Sequence, residues 1–249
     1  MRDEVLAEIL LTIARENHPG SSLELDQFIL ARNIHRLYHF TSVDNLESIF
    51  QHGFLGISEL NEREIKFTIS DYLRDEPIDN GVCFSITHPN EYMLIHKIQN
   101  GLKLVLLELA NPLEILKSSL FIASPGNFGS AKVKDFFKQH PEYFTGGVGL
   151  SNLFNNDTLR NKYGLKMDEP TDPRSEIIIL EPLSSRFVKR IILPPDFEYA
   201  SKEQVRALVP KLPKEIEFVS QSTLFTPIDW KDKEVSNAYF ERTWNLDWT

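Results

Sequence analysis

Leu37-Tyr38-His39-Phe40-Thr41 alternates apolar and polar side chains and predicts a short strand, with His39 and Thr41 on one face and Tyr38 and Phe40 on the other. Thr41 or Ser42 then caps a helix through Leu46, Ile49 and Phe50, and Gly53 supplies its usual left-handed end. Outward from this unit, residues 56–80 are polar and weakly periodic, which predicts a long loop with one helical turn; loops of that length inside a domain are commonly functional. Strands are expected at 82–86, 102–109, 120–122, 176–180 and 188–193, and helices from Pro89 to 98, from Asn111-Pro112, and at 130–137, 150–159 and 202–208. Upstream, helical spacing runs through Val5, Leu6, Ile9, Leu10 and Ile13, then through Leu25, Phe28 and Ile29 after a break at His18-Pro19-Gly20. Strands and helices mix without a βαβ rhythm, so the fold class is α+β. The expected division is an N-terminal helical brace at 1–33, a core at 34–195, and a C-terminal extension of the same domain at 196–249 with Trp230, Trp244 and Trp248.

The chain has 249 residues and a formal charge of −9, from 27 Lys+Arg against 36 Asp+Glu. That balance argues against indiscriminate nucleic-acid binding, which rests on a positive footprint, while leaving room for a local basic face. The single cysteine, Cys83, excludes an intramolecular disulfide framework and a Cys-cluster zinc site, and within a strand it reads as an inert buried thiol. No apolar run approaches the ~18–20 residues of a membrane span. Asp3 and Glu4 stand where a signal peptide carries basic residues, so a soluble, cytoplasmic protein is expected.

There is no Walker loop and no dinucleotide fingerprint; Gly146-Gly147-Val148-Gly149 reads as a flexible turn. The seven histidines form no His-x-x-x-His pair beside an acid, so no metal is expected. Two places carry candidate chemistry. His39 and Thr41 lead directly into a helix start, where hydrogen bonds and the helix dipole suit an anionic ligand; the ordinary alternative is a satisfied histidine beside an N-cap threonine. Glu176 opens the apolar run Ile177-Ile178-Ile179-Leu180, and a carboxylate at the mouth of a buried strand suits a general base or a stabiliser of an oxocarbenium ion. Its ordinary alternative is a strand-edge glutamate.

Four segments, taken in order, resemble the DarT family of DNA ADP-ribosyltransferase toxins. They are Leu37-Tyr38-His39-Phe40-Thr41 with Asp44-Asn45-Leu46 and Gly53-Phe54-Leu55; Asp71-x-Leu73-Arg74-Asp75; Gly81-Val82-Cys83-Phe84-Ser85-Ile86-Thr87-x-Pro89-Asn90-x-x-Met93, which is similar to the DarT1-like branch; and Thr171-Asp172-Pro173-x-x-Glu176-Ile177. The resemblance covers roughly residues 34–195. It implies an ADP-ribosyltransferase fold, a split mixed β-sheet with NAD⁺ as co-substrate in the cleft. On that template His39 and Thr41 hold the nicotinamide-ribose side, and Asn45 and Leu46 line the adenosine or phosphate portion. Arg74 meets the pyrophosphate or orients the attacking base, and Glu176 is the catalytic acid/base.

It further implies a DNA substrate, single-stranded so that the base is accessible, and a cognate antitoxin protein. Residues 124–175 then form the substrate-recognition region. There Phe128, Phe136, Phe137, Tyr143, Phe144 and Phe154 are possible stacking faces or core, and Lys132, Lys134, Lys138, Arg160 and Lys162 possible phosphate partners or a solvated face. Asn127 and Arg174 are candidate substrate contacts. Arg174 and Ser175 depart from that family's glutamine and alanine, which leaves guanine and thymine both open as targets, with Pro89-Asn90 favouring guanine. The same site used on RNA or protein, and a non-catalytic NAD-fold interaction module, are the alternatives.

Overall fold

The alternating stretch forms β1, Arg36–Ser42, at the centre of a mixed sheet. The structure, a computed structural model, describes residues 12, 23–69, 81–194, 201–220, 224–225, 238 and 241–243. Among them, six further strands follow in chain order: β2 Val82–Ile86, β3 Leu104–Ala110, β4 Phe121–Ser124, β5 Glu176–Ile179, β6 Val188–Leu193 and β7 Glu217–Ser220. The spatial order is β4-β5-β2-β1-β3-β6-β7, antiparallel throughout except for the parallel β6–β7 pair at one edge. The α+β class and the split sheet are both present.

The split lies between β1 and β2. On one flank β1 pairs with β3 along its whole length, from Arg36↔Ala110 to Ser42↔Leu104. On the other it meets β2 at Leu37↔Ile86 and Tyr38↔Ser85 alone. Packing follows the same division. On one face a continuous core joins both halves of the sheet through Leu37, Phe84, Leu107, Ile177 and Ile191, beneath the helices Leu23–Ala31, Leu46–His52 and Gly146–Asn152. On the other face the core is in two pieces. Ile122, Phe128, Phe137, Phe144 and Ile178 cover β4 and β5, while Tyr38, Leu94, Leu106 and Ile192 cover β1, β3 and β6.

Several local expectations change. The helix at Pro89 is Glu91–Gln99, because the Asn90 side chain accepts the Met93 N–H (3.2 Å) as N-cap and leaves Pro89 outside. The helix expected at 150–159 is two, Gly146–Asn152 and Asp157–Lys162, divided where Asn156 takes φ 74° and caps the second through Leu159 N–H. The glycine cluster is therefore a first helical turn and not a flexible link. Gly149 is there because a Cβ would lie 2.3 Å from the Phe144 carbonyl carbon. Of the N-terminal brace, Leu23–Ala31 is a helix that buries Leu25 and Ile29 and pairs Asp26 with Lys117 at 2.8 Å. The expected helix at 5–14, apart from Thr12, and the three tryptophans lie outside the described residues. The helix at Lys202–Leu208 forms as expected, opened by a Ser201–Gln204 capping box.

Candidate active site at the seam of the sheet

Beyond Tyr38 and Ser85 the two central strands part, and one side chain spans the gap. His39 Nδ1 lies 2.9 Å from the Cys83 carbonyl oxygen. A carbonyl only accepts, so Nδ1 carries the proton of this bond. The imidazole is held edge-on by Phe54 and tilted against Phe84, with both ring centroids 5.4 Å away. Tyr38, on the opposite face, donates its hydroxyl to Glu108 (3.2 Å), whose other oxygen takes Arg190 at 2.9 Å; burial pushes the Tyr38 phenol above its ordinary pKa.

The gap is a cavity of about 180 Å³ lined by residues of both sheet faces. His39 and Thr41 share the parity of Leu37, whereas Glu176 shares that of Ile178 on the divided face. An unbroken sheet would keep them apart; the split lets His39, Thr41, Asn45 and Glu176 line one cavity. Glu176, first residue of β5, sits opposite Ser124 and accepts the Phe128 N–H through Oε2 at 3.2 Å. Its carboxylate is thereby aimed by the turn that follows β4, which the Ser124 hydroxyl closes on the Gly126 carbonyl (2.7 Å).

Asn45 acts as a side-chain rung. Its Nδ2 donates to Thr68 O (2.9 Å) and to Thr41 Oγ1 (3.1 Å), and its Oδ1 accepts Thr68 N–H (2.7 Å). This pins residues 67–69 against the cavity, where Phe67, Thr68 and Ile69 form wall. Leu46 does not join that wall. It is fully buried in the main core, and the following helix presents Ser48 and Ile49 in its place. Arg74 lies outside the described residues.

The substrate-side expectations fare differently. Asn127 is absent from the cavity wall; its Oδ1 accepts Gly129 N–H (2.7 Å) in a local turn. Arg174 grips Asp172 through Nε (3.1 Å) and Nη2 (2.8 Å), and its Nη2 also donates to Thr243 O (2.6 Å), so its fork is turned to the fold. Phe128, Phe137, Phe144 and Phe154 are core, whereas Tyr143 is 41% exposed. Arg160 is buried and spends its guanidinium on the carbonyls of Lys166 and Glu169, and Lys162 pairs with Glu241. Lys132 and Lys138 lie on an exposed helix face, with Lys138 3.5 Å from Asp135.

Cys83 is only half-buried and borders the cavity, correcting its reading as a buried thiol. Sequence reasoning missed Lys97, which is buried and lines the cavity with Asn90 and Met93. Their spacing of three and four residues, counted from the cap, was the available signal. Between β2 and this helix the chain turns at Thr87, a β-branched residue at φ 64° whose hydroxyl donates to Asp168 O (2.5 Å). Among the described residues no group of three or more His, Cys, Asp or Glu is arranged to hold a metal, and no helix is long and apolar enough to cross a membrane.

This split mixed sheet with a cavity at its seam is similar in fold to a solved DarTG structure. Thermosipho africanus DarTG, solved in complex with ADP-ribose, matches with a TM-score of 0.50 at 17% identity, over 76% of this chain and 50% of that one. The chain thus spans about half the length of the Thermosipho protein. Thermus sp. 2.9 DarT in complex with NAD⁺ matches with a TM-score of 0.46 at 12% identity, over 76% and 96% of the two chains. The same Thermus protein in complex with ADP-ribosylated single-stranded DNA gives 0.48 at 11%, over 76% and 95%. At 17% identity the likeness to the Thermosipho protein is one of fold. Neither a family model nor a curated protein sequence matches the chain.

Proposed function

We propose that the chain transfers ADP-ribose from NAD⁺ to a nucleobase of single-stranded DNA, as a toxin paired with an antitoxin protein, using residues 34–195 as catalytic core and the two termini as extensions of that domain. The observation that carries this reading is Glu176: a carboxylate aimed by a backbone N–H into the cavity that also holds His39 and Thr41. The fold shared with a DarTG solved with ADP-ribose supports it. Polar groups on Thr41, Ser48, Ser85, Asn90 and Lys97 interleave with Phe40, Phe54 and Phe67, which suits a ligand of flat rings joined by sugars and phosphates.

The chemistry follows from the bond that breaks. When the ribose C1′–N bond of NAD⁺ opens, nicotinamide leaves with the bonding pair as a neutral molecule and C1′ gains cationic character. Glu176 stabilises that charge electrostatically. A base nitrogen or oxygen then bonds to C1′ and passes its proton to the carboxylate. His39, held by Phe54, Phe84 and the Cys83 carbonyl, fixes the wall against which the nicotinamide ribose sits.

The test is incubation of the protein with labelled NAD⁺ and, separately, single-stranded DNA, duplex DNA, RNA and protein. Label is expected on single-stranded DNA. Label on RNA or protein would move the substrate assignment, and no label with no NAD⁺ consumed would leave an interaction module. Glu176→Gln keeps the shape of the side chain and removes its charge. A unit charge about 4 Å from the reacting centre at an effective dielectric near 20 is worth about 4 kcal/mol, or about a thousandfold in rate. Undiminished labelling by that variant would remove Glu176 from the chemistry. Arg74→Ala, in the same assay, tests the guanidinium that the family resemblance assigns to this site.

A further inference from the structure

The segment that delivers Glu176 to the cavity has little apolar anchorage. From Asn161 to Glu169 no residue is buried, and Met167 is 59% exposed. Polar bonds hold it instead, and two guanidiniums do much of the holding. Arg160 donates to the carbonyls of Lys166 (2.7 Å) and Glu169 (2.5 Å) from just ahead of the segment. Arg242, some 70 residues further along the chain, donates through Nε to Thr171 O (2.7 Å) and through Nη2 to Pro170 O (3.1 Å).

The two neighbours of Arg242 extend the grip to both ends of the segment. Glu241 takes Lys162 Nζ at 2.6 and 2.7 Å and the Tyr163 hydroxyl. The carbonyl of Thr243, a residue only 5% exposed, accepts Arg174 Nη2 at 2.6 Å. Arg174 is itself forked onto Asp172, whose side chain is sealed from solvent and whose carbonyl accepts Ser175 N–H (3.0 Å). Three consecutive residues therefore meet the segment at its start, middle and end, and the last contact is two residues from Glu176.

We propose that Glu241-Arg242-Thr243 is a clip that fixes residues 162–175 and thereby the direction of the Glu176 carboxylate. Arg242 is a positioning residue: it acts through the carbonyls of Pro170 and Thr171, and none of the three lines the cavity. The role assigned to Glu176 rests on the function proposed above; the clip itself does not.

The experiment compares the full chain with Arg242→Met and Arg242→Lys by amide hydrogen exchange and by steady-state transfer to single-stranded DNA. Arg242→Met is expected to speed exchange across 162–179 by about tenfold or more and to lower kcat for transfer by a similar factor, with the KM for NAD⁺ within about twofold. Arg242→Lys, which retains a charged donor, recovers part of both. Unchanged exchange overturns the clip, and so does a loss of transfer that tracks a raised KM for NAD⁺. If Arg242→Met does not fold, Glu241→Gln at the exposed rim carries the test: exchange at 162–169 rises, or the proposal falls. A protein that consumes no NAD⁺ yet shows the exchange response loses the proposed function and keeps the clip.

Discussion

Replacing Asn45 with alanine deletes three hydrogen bonds in one step: two to the main chain of Thr68 and one to the Thr41 hydroxyl. At about 1 kcal/mol net for each, the full loss is about 3 kcal/mol. Asn45 and Thr68 are both partly exposed, so water takes over some of the freed groups and the expected cost falls to about 2 kcal/mol. In a chain of this size that lowers Tm by about 4–8 °C. The damage is local, since two of the three bonds join a helix start to Thr68 and the third meets the sheet only at the Thr41 side chain. Thr68 N–H exchange is therefore expected to rise more than that of β1 or β3. Phe67, Thr68 and Ile69 are cavity wall, so under the proposed function NAD⁺ affinity falls with it. Asn45→Asp keeps the acceptor for Thr68 N–H but loses both donors and sets a carboxylate against a carbonyl, so it is no milder. Thermal melts, exchange at Thr68 and NAD⁺ titration read the outcome. An Asn45→Ala protein melting within 1 °C of the wild type, with Thr68 exchange unaltered, would refute the side-chain rung.

Lys97→Met, which keeps the length of the side chain, is expected to weaken NAD⁺ binding about tenfold in calorimetric titration; an equal Kd would take Lys97 out of the ligand's reach. Glu91 is pushed above the ordinary carboxylate range by burial, with Glu169 adding repulsion and Arg242 opposing. Its folded pKa exceeds its unfolded one, so stability is fullest below the ordinary value of about 4.5 and declines as pH rises through the folded pKa. Glu91→Gln should therefore stabilise the protein in urea titrations at pH 7–8 and give no gain at pH 4; a constant difference across that range would contradict the burial argument. Gly149→Ala forces a Cβ to 2.3 Å from the Phe144 main chain and is expected to cost about 3 kcal/mol or more, whereas Gly147→Ala meets nothing within 4 Å and is neutral to about 1 kcal/mol stabilising. Equal melting temperatures for the pair would refute the close approach.

Strand positions were legible because their signal is local. Alternation at 37–41 and the apolar run at 177–180 each declare a strand whatever surrounds them. The place of Glu176 at the head of β5 was legible for the same reason, as a charge at the edge of such a run. Boundaries set by single dihedrals were not: Asn156 at φ 74° divides what periodicity joined, and Asn90 displaces Pro89 as the start of its helix. Contacts that skip far along the chain were the least legible. Arg174 two residues before Glu176 read as a substrate contact, yet Asp172 and Thr243 claim its fork. Lys97 drew no reading, because nothing in its own neighbourhood reports that its helix borders a cavity. Leu46 erred the other way: a helix start beside polar residues suggested a ligand wall, and its apolar side chain went to the core.

With β1 and β2 sharing only two register pairs and one imidazole bridge, the two half-sheets are coupled like door and frame with a single latch. Anything wedged into the seam levers against very few ladder bonds, so opening it is inexpensive compared with prising apart β1 and β3. The continuous core on one face serves as the pivot and the divided core on the other as clearance. Adaptation to a bulkier or slimmer guest can thus come from changes along Tyr38–Thr41 and Val82–Ser85, leaving the outer strands and their packing untouched.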